Sequence, residues 1–246
     1  PLTSIIGHAE AIVHGEVELS ELYPQVDIIL SNSTHVLAIL NDILDLSRIE
    51  VNQLEMVYHS HDIHVLVEEV RQLFMEQTTK KGLALSVEHQ LPIPLMVKID
   101  RTRLKQILIN LCSNAIKFTH VGKITINLSV DNERLTLSIT DTGIGMPPSQ
   151  LTEIFKSFTQ GDNSISRRFG GSGLGLCLSQ QLAEMMNGEI SVSSVLNEGS
   201  TFTLLLPCVE PQTVPIDDSL IVSERVTTSK LSGCILLAED HDDNRH

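Results

Sequence analysis

The stretch RRFGGSGLGLCLSQQLAEMMNGEI, residues 167–190, decides how the rest of the chain is read. It crowds glycines directly ahead of an amphipathic run, so a helix opens with bare backbone N–H groups that an anion can take. Two phosphate-binding patterns fix where such glycines must fall, and neither fits. A dinucleotide fingerprint counted from Gly171 and Gly173 needs glycine at 176, which is Leu176. A P-loop needs Gly-Lys followed by Ser or Thr, and the only Gly-Lys, Gly122-Lys123, runs into Ile124. The loop can hold phosphate, but within another fold.

The 246 residues are long for one domain and have apolar content enough for a core, which implies more than one unit. A balance of 17 basic against 31 acidic residues, a formal charge of −14, 3% aromatic content and no Trp argue against a nucleic-acid surface. Cys112, Cys177, Cys208 and Cys234 lie far apart with no C-x-x-C pair, which reads as reduced thiols in a cytoplasmic protein. No run of 18 apolar residues is present to span a membrane. Pro1, without Met and directly ahead of an apolar helical pattern, implies a longer parent, as does the strand-like CILLAEDHDDNRH at the other end.

Leu2, Ile5, Ile6, Ala9, Ile12 and Val13 recur at helical spacing with one apolar face. After HGEVELSELYP a second, longer helix follows, with Val26, Ile29, Leu30, Val36, Leu37, Leu40, Ile43 and Leu44 near heptad spacing up to about Ile49. A hairpin of two helices cannot bury both faces alone, so residues 1–52 predict half of a dimeric four-helix bundle. From about residue 60 the pattern becomes mixed. KITINLSV and RLTLSIT alternate across Asp131-Asn132, and EISVSSV and STFTLLLP alternate across Asn197-Glu198-Gly199, which predicts two antiparallel hairpins. Helices are expected near 63–81, 101–118 and 174–187, so residues 60–208 predict an α/β sandwich and the chain as a whole an α+β protein. Residues 209–232, with Pro211 and Pro215 and no periodicity, read as a linker ahead of a further unit at 233–246.

The helix RLKQILINLCSNAIKFT is apolar through Leu104, Ile107, Leu108, Leu111 and Ala115, and its opposite stripe is Gln106, Asn110, Asn114 and Lys117. Such a stripe is commonly a solvated face, yet asparagines are weak helix formers in mid-helix. Their neutral amide oxygens suit Mg²⁺, which completes its shell with water and substrate phosphates, and Lys117 adds a counter-charge. Asp141 ends the strand RLTLSIT ahead of Gly143 and Gly145. A strand-end Asp before glycine is ordinarily a turn. As a carboxylate, however, it is acceptor-only and takes the exocyclic amine of adenine but not the carbonyl of guanine.

These boxes in order, Asn-x-x-x-Asn-Ala, Asp-x-Gly-x-Gly, EIFKSFTQGD and GGSGLGL, resemble the sensor histidine kinases of the Bergerat-type ATPase superfamily. The resemblance extends to both ends. PLTSIIGHAEAI is similar to the continuation of the phosphoacceptor box, which puts the phosphoacceptor histidine just before Pro1, and ILDLSRIEVNQLEM is similar to the end of the second dimerisation helix. ILLAEDHDDNR looks like the first strand of a receiver domain, with Glu239 and Asp240 in its Mg²⁺-binding acidic pair, which implies a hybrid kinase.

Carried over by this resemblance, Asn110 and Asn114 serve Mg²⁺ and the phosphates of ATP, Lys117 the phosphates, and Phe118 the nucleotide. Asp141 reads adenine beside Gly143 and Gly145. Gly171, Gly173 and Gly175 form the phosphate loop, with Leu174 and Leu176 packing beneath, and Ser172 and Thr201 complete the nucleotide set. Residues 146–170 are implied to be a lid, from which Arg167 or Arg168 reaches the γ-phosphate. The implied partners are a second copy through the hairpin and a receiver domain in cis or in trans; the implied place is the cytoplasm, with any inner-membrane anchor outside this chain. A non-catalytic nucleotide-gated module, or another ATPase of the same superfamily, is the alternative.

Two further features are weaker. His59, His61 and His64 with Asp62 lack the i, i+4 geometry of a helical zinc site. His8 lacks the acidic residue and the Thr-Pro that follow a phosphoacceptor, so it reads as a structural or solvated histidine.

Overall fold

The structure is a computed structural model that describes residues 1–18, 20–89, 95–131, 133–156 and 173–208. Helices α1 (Leu2–Val13) and α2 (Leu22–Glu50) form the hairpin, and neither has a fully buried residue. The side chains of His8 and Gln25 hydrogen-bond between the two helices. Leu2, Ile6, Leu30, Leu37, Leu40 and Leu44 are all exposed, Leu30 and Leu37 to 60%. Apolar area of that kind, repeated along a helix, is what a bundle partner covers.

The last turns of α2 behave differently. Leu46 and Ile49 pack against the core of the following domain. Asp45 accepts from Arg103 Nη1 at 2.8 Å and from Gln106 Nε2 at 3.0 Å, with Arg103 and Asp45 both partly buried. Gln106 therefore belongs to the joint with the hairpin and not, as the helical stripe implied, with Asn110. The reason is axial: the stripe runs several turns along its helix, and the first two turns of that helix lie against α2. Burial and the neighbouring Asp45 push the Asp42 carboxyl up from its ordinary value. Asp42 thus supports the folded hairpin in its protonated form, and that support is lost as pH rises through its folded-state pKa.

The second domain starts with β1 (His59–Asp62), α3 (Ile63–Lys81), β2 (Ala84–His89), β3 (Met96–Ile99) and α4 (Arg101–Phe118). It continues with β4 (Lys123–Asp131), β5 (Arg134–Asp141), α5 (Pro148–Leu151), α6 (Gly175–Met185), β6 (Glu189–Val195) and β7 (Gly199–Pro207). Strands β1 and β3 form a small antiparallel sheet, and the main sheet has five strands in the order β2-β4-β5-β7-β6. Within it β2–β4 is parallel and the other pairs are antiparallel, including both hairpins expected from the sequence.

Alternation positions the core. Leu135, Leu137, Ile139 and Asp141 are the buried positions of β5, as are Ser200, Phe202, Leu204 and Leu206 of β7. Against that face lie Leu66 and Val70 of α3, Leu104, Ile107, Leu108 and Leu111 of α4, and Leu178 and Leu182 of α6. Asp62 caps α3 by accepting from His64 N, and Asp100 caps α4 by accepting from Arg103 N, both at 3.0 Å. The acid in the His-rich segment is therefore a helix cap. Among the described residues no helix is long and apolar enough to cross a membrane. The linker at 209–232 and the segment at 233–246, with Glu239 and Asp240, lie outside the described residues.

Candidate nucleotide site

Three pieces of backbone converge at the end of β5. Asp141 is buried, Gly143 N donates to its Oδ1 at 2.8 Å, and the backbone of Ser200 donates to it from β7. Burial pushes the carboxyl pKa up, and these two N–H donors pull it partly back. The loop after Asp141 is held from both sides: Ile144 N donates to Phe118 O at the end of α4, and Ile144 O accepts from Asn197 N of the β6–β7 turn at 2.7 Å.

Gly145 is pressed against that turn. Its φ is +60°, and a Cβ there would lie 1.9 Å from Val195 O, a backbone atom no side-chain rotation can move. Gly145→Ala is accordingly expected to lower stability by more than about 2 kcal/mol, read as a fall in the denaturant midpoint with unchanged slope. A midpoint within error of the wild type would show that the turn yields freely.

Helix α4 carries the facing side chains. Asn110 and Asn114 are half-buried. Asn110 Nδ2 donates to Ser179 Oγ on α6 at 2.8 Å, and its Oδ1 lies where a Cβ on Gly175 would be, at 2.4 Å. Glycine at 175 is thus what lets the start of α6 close onto Asn110. Lys117 Nζ stands 4.9 Å from the centroid of the Phe118 ring, and burial lowers the Lys117 pKa. A desolvated ammonium of this kind gains from an anionic neighbour. At the head of α6, Gly173 takes φ +70° and Leu174 is buried beneath it, with Leu176 packed against the core.

The structure brings Asn110, Asn114, Lys117, Phe118, Asp141, Gly143, Gly145, Gly173, Leu174, Gly175 and Leu176 onto α4, the loop after β5 and the head of α6. Thr201 is placed apart: it pairs with Thr140, the two hydroxyls 3.0 Å from each other, one residue out of phase with the core-facing positions. Ser200, which the sequence reading passed over, is the residue in register with Asp141. Strand parity separates the two, and it is set by which β7 residue pairs with Asp141 rather than by local sequence. Gly171, Ser172, Arg167 and Arg168 lie outside the described residues.

An acceptor carboxylate at a strand end, a helix of amide side chains and a glycine-opened helix on one sandwich define an ATPase domain of the Bergerat class. Residues 99–210 match the family of histidine kinase-, DNA gyrase B-, and HSP90-like ATPases, and residues 1–52 match the His Kinase A (phospho-acceptor) domain. The autoinducer 2 sensor kinase/phosphatase LuxQ of Vibrio vulnificus is 37% identical over 84% of this chain and 25% of its own length. Among solved structures, full-length ShkA in complex with AMPPNP superposes with a TM-score of 0.69 at 28% identity, over 85% of this chain and 43% of that one. The histidine kinase ThkA in complex with the response regulator protein TrrA gives a TM-score of 0.65 at 25% identity, over 85% and 58%. With both domains matched in this order, the chain belongs to the sensor histidine kinases. It spans about a quarter of the length of LuxQ.

Proposed function

We propose that this chain is the ATP:protein-histidine phosphotransferase core of a hybrid kinase, which passes the γ-phosphoryl of Mg·ATP to a histidine of the hairpin and onward to a receiver aspartate. The observation that carries the reading is helix α4. Its first two turns grip the hairpin through Arg103 and Gln106, its middle meets the head of α6 at Asn110, and its last residue holds the Asp141 loop through Phe118 O. One rigid element therefore connects the acceptor-bearing domain, the phosphate end and the adenine end.

In this reading Asp141 accepts the adenine amine, with its geometry fixed by Gly143 and Ser200. The N–H groups at the head of α6 and Lys117 face the phosphates. The amide oxygens of Asn110 and Asn114 suit a hard cation that keeps its waters, and Mg²⁺ would neutralise developing charge on the transferred phosphoryl. Arg168 of the lid is proposed to reach the same phosphoryl. The residues' own contribution is positioning and charge complementarity.

The exposed apolar stripe of α1 and α2 supports a homodimer, and the acidic balance of the chain supports a partner other than nucleic acid. A cytoplasmic location is proposed, in keeping with the buried thiols of Cys112 and Cys208. We place the acceptor histidine ahead of Pro1, because PLTSIIGHAEAI resembles the continuation of the phosphoacceptor box and His8 lacks the acidic residue and the Thr-Pro that follow such a histidine.

Incubation with [γ-³²P]ATP tests this. A chain extended upstream through the phosphoacceptor box is expected to take up acid-labile, base-stable label, and the 246-residue chain to bind Mg·ATP without it. Label on His8 would move the acceptor into α1. Nucleotide binding without label in the extended chain would favour a nucleotide-gated interaction module.

A further inference from the structure

Ser194 lies on β6, the edge strand of the main sheet, in register with Ser200 of β7. Its hydroxyl accepts from Met146 N at 2.8 Å, donates to Gly199 O at 2.8 Å, and stands 3.0 Å from Ser200 Oγ. A hydroxyl has one donor and two acceptor sites. With Gly199 O taking the proton, Met146 N–H and the Ser200 hydroxyl fill the two lone pairs, so Ser194 is saturated.

The three partners belong to the two walls that enclose Asp141. Met146 is the residue at which the Asp-x-Gly-x-Gly loop leaves Gly145. Gly199 packs so closely on Asp141 that a Cβ would lie 2.0 Å from the Asp141 carbonyl oxygen. Ser200 supplies a backbone N–H to the Asp141 carboxylate. For packing alone, a residue such as Val192, two positions earlier on the same strand and partly buried against the core, would serve. A hydroxyl with every site used instead ties the loop on one side of the carboxylate to the strand on the other.

We propose that Ser194 is a positioning residue of the adenine end of the site, fixing the Asp141 loop against the start of β7 so that the carboxylate presents one defined acceptor to the base. This rests on the nucleotide reading above. Ser194 touches no substrate in this proposal; it acts through Met146, Gly199 and Ser200.

Ser194→Ala leaves the Met146 N–H without its acceptor and releases Ser200. ATP and ADP are expected to bind about tenfold more weakly, each by the same factor, since the loss falls on the base and not on the phosphates. In the full-length kinase the KM for ATP rises by that factor while kcat stays within about twofold. Ser194→Thr, which keeps the hydroxyl, restores affinity, a recovery that mere filling of the strand would not require. Calorimetry with ATP and ADP on the 246-residue chain, with thermal melts of each variant, gives the readout.

Equal ATP affinity in wild type and Ser194→Ala overturns the proposal, as does a loss that Ser194→Thr fails to recover. Should Ser194→Ala not fold, Ser194→Cys, which keeps the size but weakens the bonds, is expected to show the same loss for ATP and ADP. Unchanged affinity in that variant overturns the proposal equally. A wild-type chain that binds no adenine nucleotide overturns the nucleotide reading itself, and this one with it.

Discussion

Asp141→Asn is expected to abolish ATP binding, weakening it by at least about a hundredfold, while the domain stays folded. An ionised Asp141 only accepts: one oxygen takes Gly143 N–H, Ser200 N–H is a second donor, and in the proposed complex the adenine amine is a third. Asparagine keeps one oxygen and gains an NH₂ group. If the oxygen stays on Gly143 N–H, the new donor meets the donor on the base. A charge-assisted bond is lost and two donors are left facing each other in a buried place, effects of about 1.5–3 and 1–3 kcal/mol respectively.

Stability runs the other way. Burial raises the Asp141 pKa in the folded state, so the charged form costs stability above the unfolded-state pKa, and stability falls as pH rises through the folded-state value. Asn at 141 has no charge to desolvate. The nucleotide-free variant should therefore melt no lower than wild type near pH 7, and any advantage should vanish below the unfolded-state pKa, where Asp141 is neutral in both states. Calorimetric titration with ATP, paired with melts at two pH values, checks both halves. Unchanged ATP affinity in a folded variant removes Asp141 from the site.

What the sequence made legible is what periodicity encodes. The alternation of Ile124, Ile126 and Leu128 with polar residues, and of Leu135, Leu137 and Ile139, specifies a hairpin with one buried face, and β4–β5 is that hairpin. The apolar side of α4 is read in the same way, and its residues are the buried ones. Periodicity says which side of an element is buried but not what stands opposite the other side. Gln106 shares a stripe with Asn110, yet the first faces α2 and the second α6, because different neighbours pass different turns of the same helix.

Register is the second limit. Thr201 and Ser200 are adjacent hydroxyl residues after Gly199, and only the pairing of Asp141 with Ser200 decides which of them shares its face. HSHD, which forms β1, has no apolar alternation at all; it is a strand because it pairs with Met96–Ile99, a contact across more than thirty residues. Ser194 likewise reads locally as one more polar residue of an edge strand. Its weight comes from three partners brought in from Met146, Gly199 and Ser200.

Asn114→Asp separates binding from chemistry. Asn114 is on α4 one turn beyond Asn110 and half-buried, and the turns before and after it are fixed by Ser179 on Asn110 and by the Asp141 loop on Phe118. The amide contributes an oxygen without charge. Asp in its place keeps the oxygen and adds a negative charge beside the proposed triphosphate position, an interaction of about 4 kcal/mol at 4 Å for an effective dielectric of 20. In the ground state a cation bound with ATP offsets part of this repulsion, so nucleotide affinity is expected to fall by less than about tenfold. In the transition state charge spreads over the transferred phosphoryl, and a carboxylate at 114 would compete with that phosphoryl for a bound cation where the neutral amide does not. Phosphoryl transfer to a supplied hairpin substrate should fall by about a hundredfold or more, measured in single turnover at saturating ATP, with the affinity measured separately. Equal losses in the two measurements would assign Asn114 to ground-state binding alone.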